Sequence, residues 1–137
     1  MYTRDEILEG IRDSIVNSLD VEPGQVREDT LLVQELGLAS IDLLDLLFTL
    51  NSKFGTYIKA TEVQSQLLGG LTEQEFLNPD RTVSERGYRR IAELVPGFDP
   101  EKRARDLADS DLYDFFRVRH LVDIVEQRLA KRLQQAL

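Results

Sequence analysis

Residues 36–54 read LGLASIDLLDLLFTLNSKF and decide the fold. A serine opens a run of apolar residues at helical spacing, which two aspartates interrupt. The spacing predicts a helix of 14 residues from Ile41 to Phe54, about 21 Å long at roughly 1.5 Å per residue. Ser40 is a preferred type of N-cap and Gly55 a preferred C-terminal residue, so these two are expected to bound the helix.

The buried face of this helix is predicted from the same spacing. One face collects five apolar positions, namely Ile41, Leu44, Leu47, Phe48 and Phe54, and Leu43, Leu46 and Leu50 widen it. Phe48 is therefore expected to pack in the core.

The remaining segments also predict helices. Thr3 and Glu6 form a capping-box pattern that starts a first helix near Arg4, and Thr72 with Glu75 repeats the pattern. A last helix is predicted from apolar positions that begin at Val118. No segment shows convincing strand alternation, so the predicted fold class is all-α.

Composition narrows the function. The chain has 137 residues, no cysteine and one histidine, His120, which excludes thiolate and histidine-rich metal sites. The net charge is −8, and residues 1–58 hold 4 basic and 11 acidic residues. Such a balance argues against nucleic acid as a partner, because phosphates need a basic surface.

The targeting signals of other compartments are not evident. Residues 1–10, MYTRDEILEG, do not follow the basic and then apolar pattern of an export signal, and no apolar run approaches the length of a membrane span. We therefore expect a cytoplasmic protein without a membrane span.

Three stretches in the family's order resemble the acyl carrier protein family, over residues 3–55 and 110–130 or about half of the chain. The first stretch is a predicted helix followed by a long connection, residues 21–39, whose apolar residues are expected to lie on the core. Residues 36–55 resemble the family's modification site, in which a Leu-Gly-x-Asp-Ser-Leu-like sequence opens the second helix. Residues 117–126, RVRHLVDIVE, are similar to the family's last helix. The resemblance implies a helical bundle that carries 4′-phosphopantetheine on Ser40 and acyl groups as thioesters on that arm. It also implies a carrier without catalytic activity.

The chain departs from the family pattern at two places. Ala39 stands where the family usually has Asp, which removes a charge from the surface that a modifying transferase meets. A segment at about residues 60–109 is far longer than the corresponding family loop, and its capping boxes predict an ordered helical insertion. We expect residues 1–137 to form a single carrier domain in which this insertion selects partner enzymes or lengthens the shelter for the acyl chain.

The resemblance also implies partners and a docking face. The partners would be a phosphopantetheinyl transferase and acyl-transferring or condensing enzymes of lipid or polyketide biosynthesis, served by a monomer. The docking candidates are Asp42, Leu43, Asp45 and Phe48. For the two aspartates a solvated helix face is an equal alternative, and for Phe48 core packing is the stronger expectation.

Two other function classes remain open. A helical interaction domain could keep the carrier fold without ever being modified, and Ala39 favours that alternative. A hydrolase built on Ser40 and His120 is weaker, because the chain has no Gly-x-Ser-x-Gly nucleophile elbow.

Overall fold

The computed structural model describes residues 2–102 and 105–136. Its helices are α1 (Arg4–Leu19), α2 (Ser40–Phe54), α3 (Ala60–Leu68), α4 (Glu73–Phe76), α5 (Glu85–Leu94) and α6 (Val118–Ala136), with 3-10 helices at Pro23–Gln25, Pro100–Lys102 and Asp109–Phe115. Within the described ranges only isolated β-bridges occur, and no strand forms. The all-α prediction is confirmed.

The helical core is built on α1, α2 and α6. The predicted capping box starts α1: the Thr3 hydroxyl accepts from the Glu6 N–H, and the Glu6 carboxylate accepts from the Thr3 N–H. Helix α1 packs against both α2 and α6. Its inward side chains Ile7, Ile11 and Ile15 are at most 1% exposed, so this face anchors the core.

The long connection between α1 and α2 lies on the core. Val26 and Leu32 are fully buried, and Leu36 and Leu38 are nearly so. The Leu32 N–H donates to the Phe116 carbonyl at 2.9 Å, which ties the connection to the start of α6. This hydrogen bond holds the chain in place eight residues before Ser40.

The insertion forms an additional helical layer on this core. Helix α3 packs on α6 and α2, α5 packs on α3, and α4 packs on α5. The same hydrophobic core includes the inward residues of these helices: Val63, Leu67, Leu68, Phe76, Tyr88 and Ile91. Arg90 of α5 donates to the carbonyls of Gln66 and Leu67, so it caps the C-terminal end of α3. None of the helices described is both long and apolar enough to cross a membrane.

Candidate functional site at the start of helix α2

Ser40 is exposed at the first residue of α2. The helix therefore begins one residue earlier than predicted, and Ala39, in an extended conformation, is the N-cap. The prediction that Ser40 caps the helix is wrong, because the break from extended to helical backbone falls before it. In the described part of the chain the Ser40 hydroxyl has no hydrogen-bond partner, so it is accessible from solvent.

The N-terminus of α2 has only half of a capping box. The Asp42 carboxylate accepts from the Ala39 N–H at 2.9 Å, but alanine has no side-chain oxygen to accept in return. The first N–H groups of a helix lack partners within the helix. Together with the helix dipole, these unpaired donors favour a negatively charged group beside Ser40.

The segment that precedes Ser40 is held by backbone contacts. The Leu38 N–H donates to the Leu32 carbonyl at 3.0 Å. Gly37 has a positive φ of 72°, a left-handed conformation that glycine adopts without strain. Because Leu36 and Leu38 on either side are buried, the chain reaches Ser40 in a fixed direction.

The structure corrects the predicted buried face of α2. Leu47 and Phe54 are buried as expected, but Ile41, Leu44 and Phe48 are 69%, 58% and 75% exposed. These last three residues, named here the α2 stripe, share one outward face at helical spacing. The expectation that Phe48 packs in the core is wrong.

Leu43, a docking candidate, is buried, whereas Phe48 is exposed. Leu43 is 7% exposed and belongs to the core, so it offers almost no surface for docking. The physical reason is that α2 has apolar residues around most of its circumference, and the packing of α1 and α3 decides which of them are covered.

The two aspartates of α2 differ in their surroundings. Asp42 is half-buried, and its carboxylate is engaged with the Ala39 N–H. Asp45 is exposed, and within the described ranges it has no ion pair. Asp45 is therefore the one α2 aspartate whose carboxylate is free to meet a partner.

The far end of α2 presents another exposed aromatic residue, Tyr57, which is 73% exposed. The Asn51 side chain fixes the loop around it, since its oxygen accepts from the Ile58 N–H and the Thr56 hydroxyl at 2.8 and 2.9 Å. Arg132 of α6 donates to the Gly55 carbonyl and so caps the end of α2. Sequence patterns missed Tyr57, because no periodic segment contains it.

Similarity to known proteins decides the family. The chain is 36% identical to an acyl carrier protein of Campylobacter hominis over 59 residues, which are 43% of this chain and 75% of that protein. It is 33% identical to an acyl carrier protein of Thermotoga maritima over 64 residues, 47% of this chain and 79% of the relative. The chain belongs to the acyl carrier protein family.

The similarity extends over less than half of this carrier protein, so the relatives leave much of the chain unmatched. A third relative, the acyl carrier protein of Wolinella succinogenes, is 33% identical over 58 residues, 42% of this chain and 76% of its own. No model of a protein family and no solved structure matches the chain.

Family membership implies a phosphopantetheine group, and the start of α2 fits one. A phosphodiester needs an accessible hydroxyl, which Ser40 supplies, and an environment that stabilises an anion, which the uncapped helix end supplies. The side chain of Ala39 adds neither charge nor bulk at this position. When bound, such a group supplies a thiol on a flexible arm.

His120 has a structural role in this acyl carrier protein. It is 6% exposed, its Nδ1 accepts from the Arg117 N–H at 2.8 Å, and its ring stacks on Phe116. Burial, followed by the nearby Arg119, lowers the pKa of His120 to about 4, so the ring is neutral near pH 7. Because Nδ1 is occupied in the core and Ser40 is exposed, no contact supports the hydrolase alternative.

Proposed function

We propose that Ser40 carries 4′-phosphopantetheine and that the protein presents acyl groups, as thioesters on this arm, to enzymes of lipid or polyketide biosynthesis. One observation carries the proposal: within the described residues, an exposed serine without a hydrogen-bond partner opens α2 in a sequence like the family's modification site. The partners would be a phosphopantetheinyl transferase and acyl-transferring or condensing enzymes.

The residues around Ser40 would each contribute to carriage. The backbone N–H groups of the first turn would stabilise the phosphodiester, since the cap residue Ala39 leaves them without a side-chain acceptor. Asp42 would keep the N-terminal turn closed through its bond to Ala39. The buried Leu36 and Leu38 would hold the modified residue at a fixed place on the surface.

The whole chain, residues 1–137, is proposed as a single carrier domain with the insertion at about residues 60–109 as part of it. The support is that Val63, Leu67 and Phe76 of the insertion belong to the same core as Ile11 and Leu50 of the carrier helices. The insertion would then restrict which enzymes reach the arm or lengthen the shelter for the acyl chain.

Thiol titration tests the proposed site. The apo protein is incubated with coenzyme A and a broad-specificity phosphopantetheinyl transferase, and free thiols are counted after removal of coenzyme A. Because the chain has no cysteine, any protein thiol belongs to the arm. We expect one thiol per chain, none in Ser40→Ala, and one in the matched control Ser52→Ala, which changes another exposed serine of α2.

Two results would contradict the proposal. A thiol that persists in Ser40→Ala would place the modification elsewhere. Zero thiols with every transferase tried, those of the native host included, would favour the alternative of an unmodified interaction domain.

A further inference from the structure

A cavity of about 250 Å³, named here the insertion cavity, lies between α3, α4 and the 3-10 helix Asp109–Phe115. Its inner wall is apolar and consists of Leu68, Phe76, Leu77 and Leu112, which are all buried. An apolar cavity of about 150 Å³ is large enough to bind benzene. The insertion cavity therefore has room for a six-membered ring and a few further atoms.

Two polar side chains line the insertion cavity without hydrogen-bond partners. Tyr113 and Gln64 are half-buried, and within residues 2–102 and 105–136 neither the Tyr113 hydroxyl nor the Gln64 amide forms a hydrogen bond. Burial raises the pKa of the Tyr113 hydroxyl, so this group stays protonated and can donate as well as accept. The Tyr113 ring lies edge-on to the buried Phe116 ring, with 6.1 Å between centroids, which restricts its movement. A few polar groups in an otherwise apolar pocket fix the orientation of a ligand.

The charges at the outer edge of the insertion cavity balance. Glu73 and Arg81 form this edge, since both are exposed, and their side chains pair at 2.7 Å. Tyr113 is neutral, and the other described lining residues do not titrate. A charged ligand would have to leave water for an apolar wall without a free counter-charge, which costs free energy. The cavity therefore favours a neutral ligand.

The backbone at Arg81 is strained. Its φ is 72°, a left-handed conformation that is uncommon for a residue other than glycine. The Arg81 N–H donates to the Asn78 carbonyl at 2.9 Å, so the turn is closed in this conformation. Strained residues of this kind concentrate at ligand-binding sites. The strain is a second observation, independent of the cavity walls, that favours a binding site here.

We infer that the insertion cavity binds a small neutral molecule, free in solution, that is mostly apolar and has one hydrogen-bonding end such as an alcohol, a ketone or an amide. The apolar part packs on Phe76 and Leu112, and the polar end meets the Tyr113 hydroxyl and the Gln64 amide. This site is separate from Ser40, because none of its described lining residues belongs to α2 or to the connection before it. The inference does not rest on the proposed function.

Three probes with the same ring test the inference. Toluene is apolar, benzyl alcohol is neutral with one hydroxyl, and benzoate is an anion. Each is titrated into the full-length protein, and Kd is obtained from the chemical shifts of the backbone amides. We expect saturable shifts at α3, α4 and Tyr113 with toluene and benzyl alcohol, and a Kd at least about tenfold higher for benzoate. If neither neutral probe gave saturable shifts at these residues, the inference would be overturned.

Two variants test the walls of the insertion cavity. Gln64→Trp fills the space from its half-buried edge and should raise the Kd of both neutral probes about tenfold or more, because a filled cavity has no room for a second ring. Its matched control is Gln127→Trp, which changes an exposed glutamine of α6 outside the cavity and should leave both Kd values unchanged. Tyr113→Phe removes only the hydroxyl. It should raise the Kd of benzyl alcohol about three- to tenfold and change that of toluene less than about twofold.

Several results would overturn the inference. Equal Kd values in Gln64→Trp and Gln127→Trp would place the probes elsewhere, and if Gln64→Trp does not fold, Tyr113→Phe decides alone. Benzoate that binds more tightly than benzyl alcohol would contradict a neutral ligand. An equal effect of Tyr113→Phe on both neutral probes would contradict the hydrogen-bonding end. If an acyl group loaded on Ser40 displaced benzyl alcohol, the cavity would belong to the carrier's own cargo and not to a free ligand.

Discussion

At the residue scale, the N-cap of α2 and its proposed modification site are two different residues, Ala39 and Ser40. Ala39 occupies the cap and Ser40 follows it with an unbonded side chain, so Ser40→Ala removes no stabilising contact. We expect the free energy of unfolding of Ser40→Ala to stay within about 0.5 kcal/mol of the parent, since surface changes of this kind are nearly neutral. Ala39→Asp should raise it by up to about 1 kcal/mol, because Asp is a good cap.

Chemical unfolding of the apo proteins measures both effects. Ala39→Asp should also raise the rate of modification by a transferase that expects a carboxylate before the serine. A loss of about 1 kcal/mol in Ser40→Ala, the usual cost of a lost cap, would contradict the assignment of Ala39 as the N-cap.

Because the pKa of His120 is lowered, the free energy of unfolding is expected to fall at acidic pH. Its pKa is about 4 in the folded protein and about 6.5 in an unfolded chain, so the unfolded state binds the proton more readily between these values. The stabilisation is fully present above pH 6.5 and is lost as the pH falls towards 4, by up to about 3 kcal/mol.

The measurement is the free energy of unfolding as a function of pH for the parent and for His120→Gln. Glutamine at this position of α6 can still accept from the Arg117 N–H but does not titrate. The variant should show a flatter profile between pH 6.5 and 4. If the free energies of unfolding of the two proteins fell in parallel between pH 6.5 and 4, protonation of His120 would not be the cause of the loss of stability.

At the element scale, the contact between α4 and α5 depends on Gly87. A Cβ at Gly87 would lie 2.5 Å from the Phe76 carbonyl oxygen and 2.6 Å from Val83 Cγ1. Alanine normally stabilises a helix relative to glycine by about 1 kcal/mol. Here we expect Gly87→Ala to destabilise the protein by about 1–3 kcal/mol, because the added methyl group forces α4 and α5 apart.

Gly24→Ala is the control, since a Cβ at Gly24 meets nothing within 4 Å. Both variants are compared by chemical unfolding. If Gly87→Ala were as stable as the parent, the close approach of these two helices would be absent in solution.

The helices themselves follow from local sequence signals, but the face that α2 buries does not. The capping boxes at Thr3 and Thr72 form as predicted, because each depends on residues only three apart. Phe48 is exposed although core packing was expected for it, and Leu43 is buried, as the widened apolar face predicts, although it was also a docking candidate. Apolar residues occupy more than half of the circumference of α2, so their spacing does not say which of them the neighbouring helices cover. The positions of α1 and α3 settle that choice, and they depend on contacts distant in sequence.

At the scale of the whole molecule, the sequence likewise predicts that the insertion is helical but not how its helices pack. Its short helices are too short to be stable alone, which predicts that they pack on the carrier helices. Sequence does not predict that α3 makes the contact with α6 and α2 while α4 and α5 lie outside it. That arrangement involves contacts between residues distant in sequence, such as the ion pair of Arg128 in α6 with Glu62 in α3, 66 residues apart.

The serine at the start of α2 was predicted from sequence, whereas its free hydroxyl and uncapped helix end required the structure. Intact-mass measurement of the protein isolated from its native host, followed by peptide mapping, tests the central claim most directly. The account predicts a mass increase of one phosphopantetheine, with or without an acyl group, on the peptide that contains Ser40. An unmodified chain, or the same group on any other residue, would contradict it.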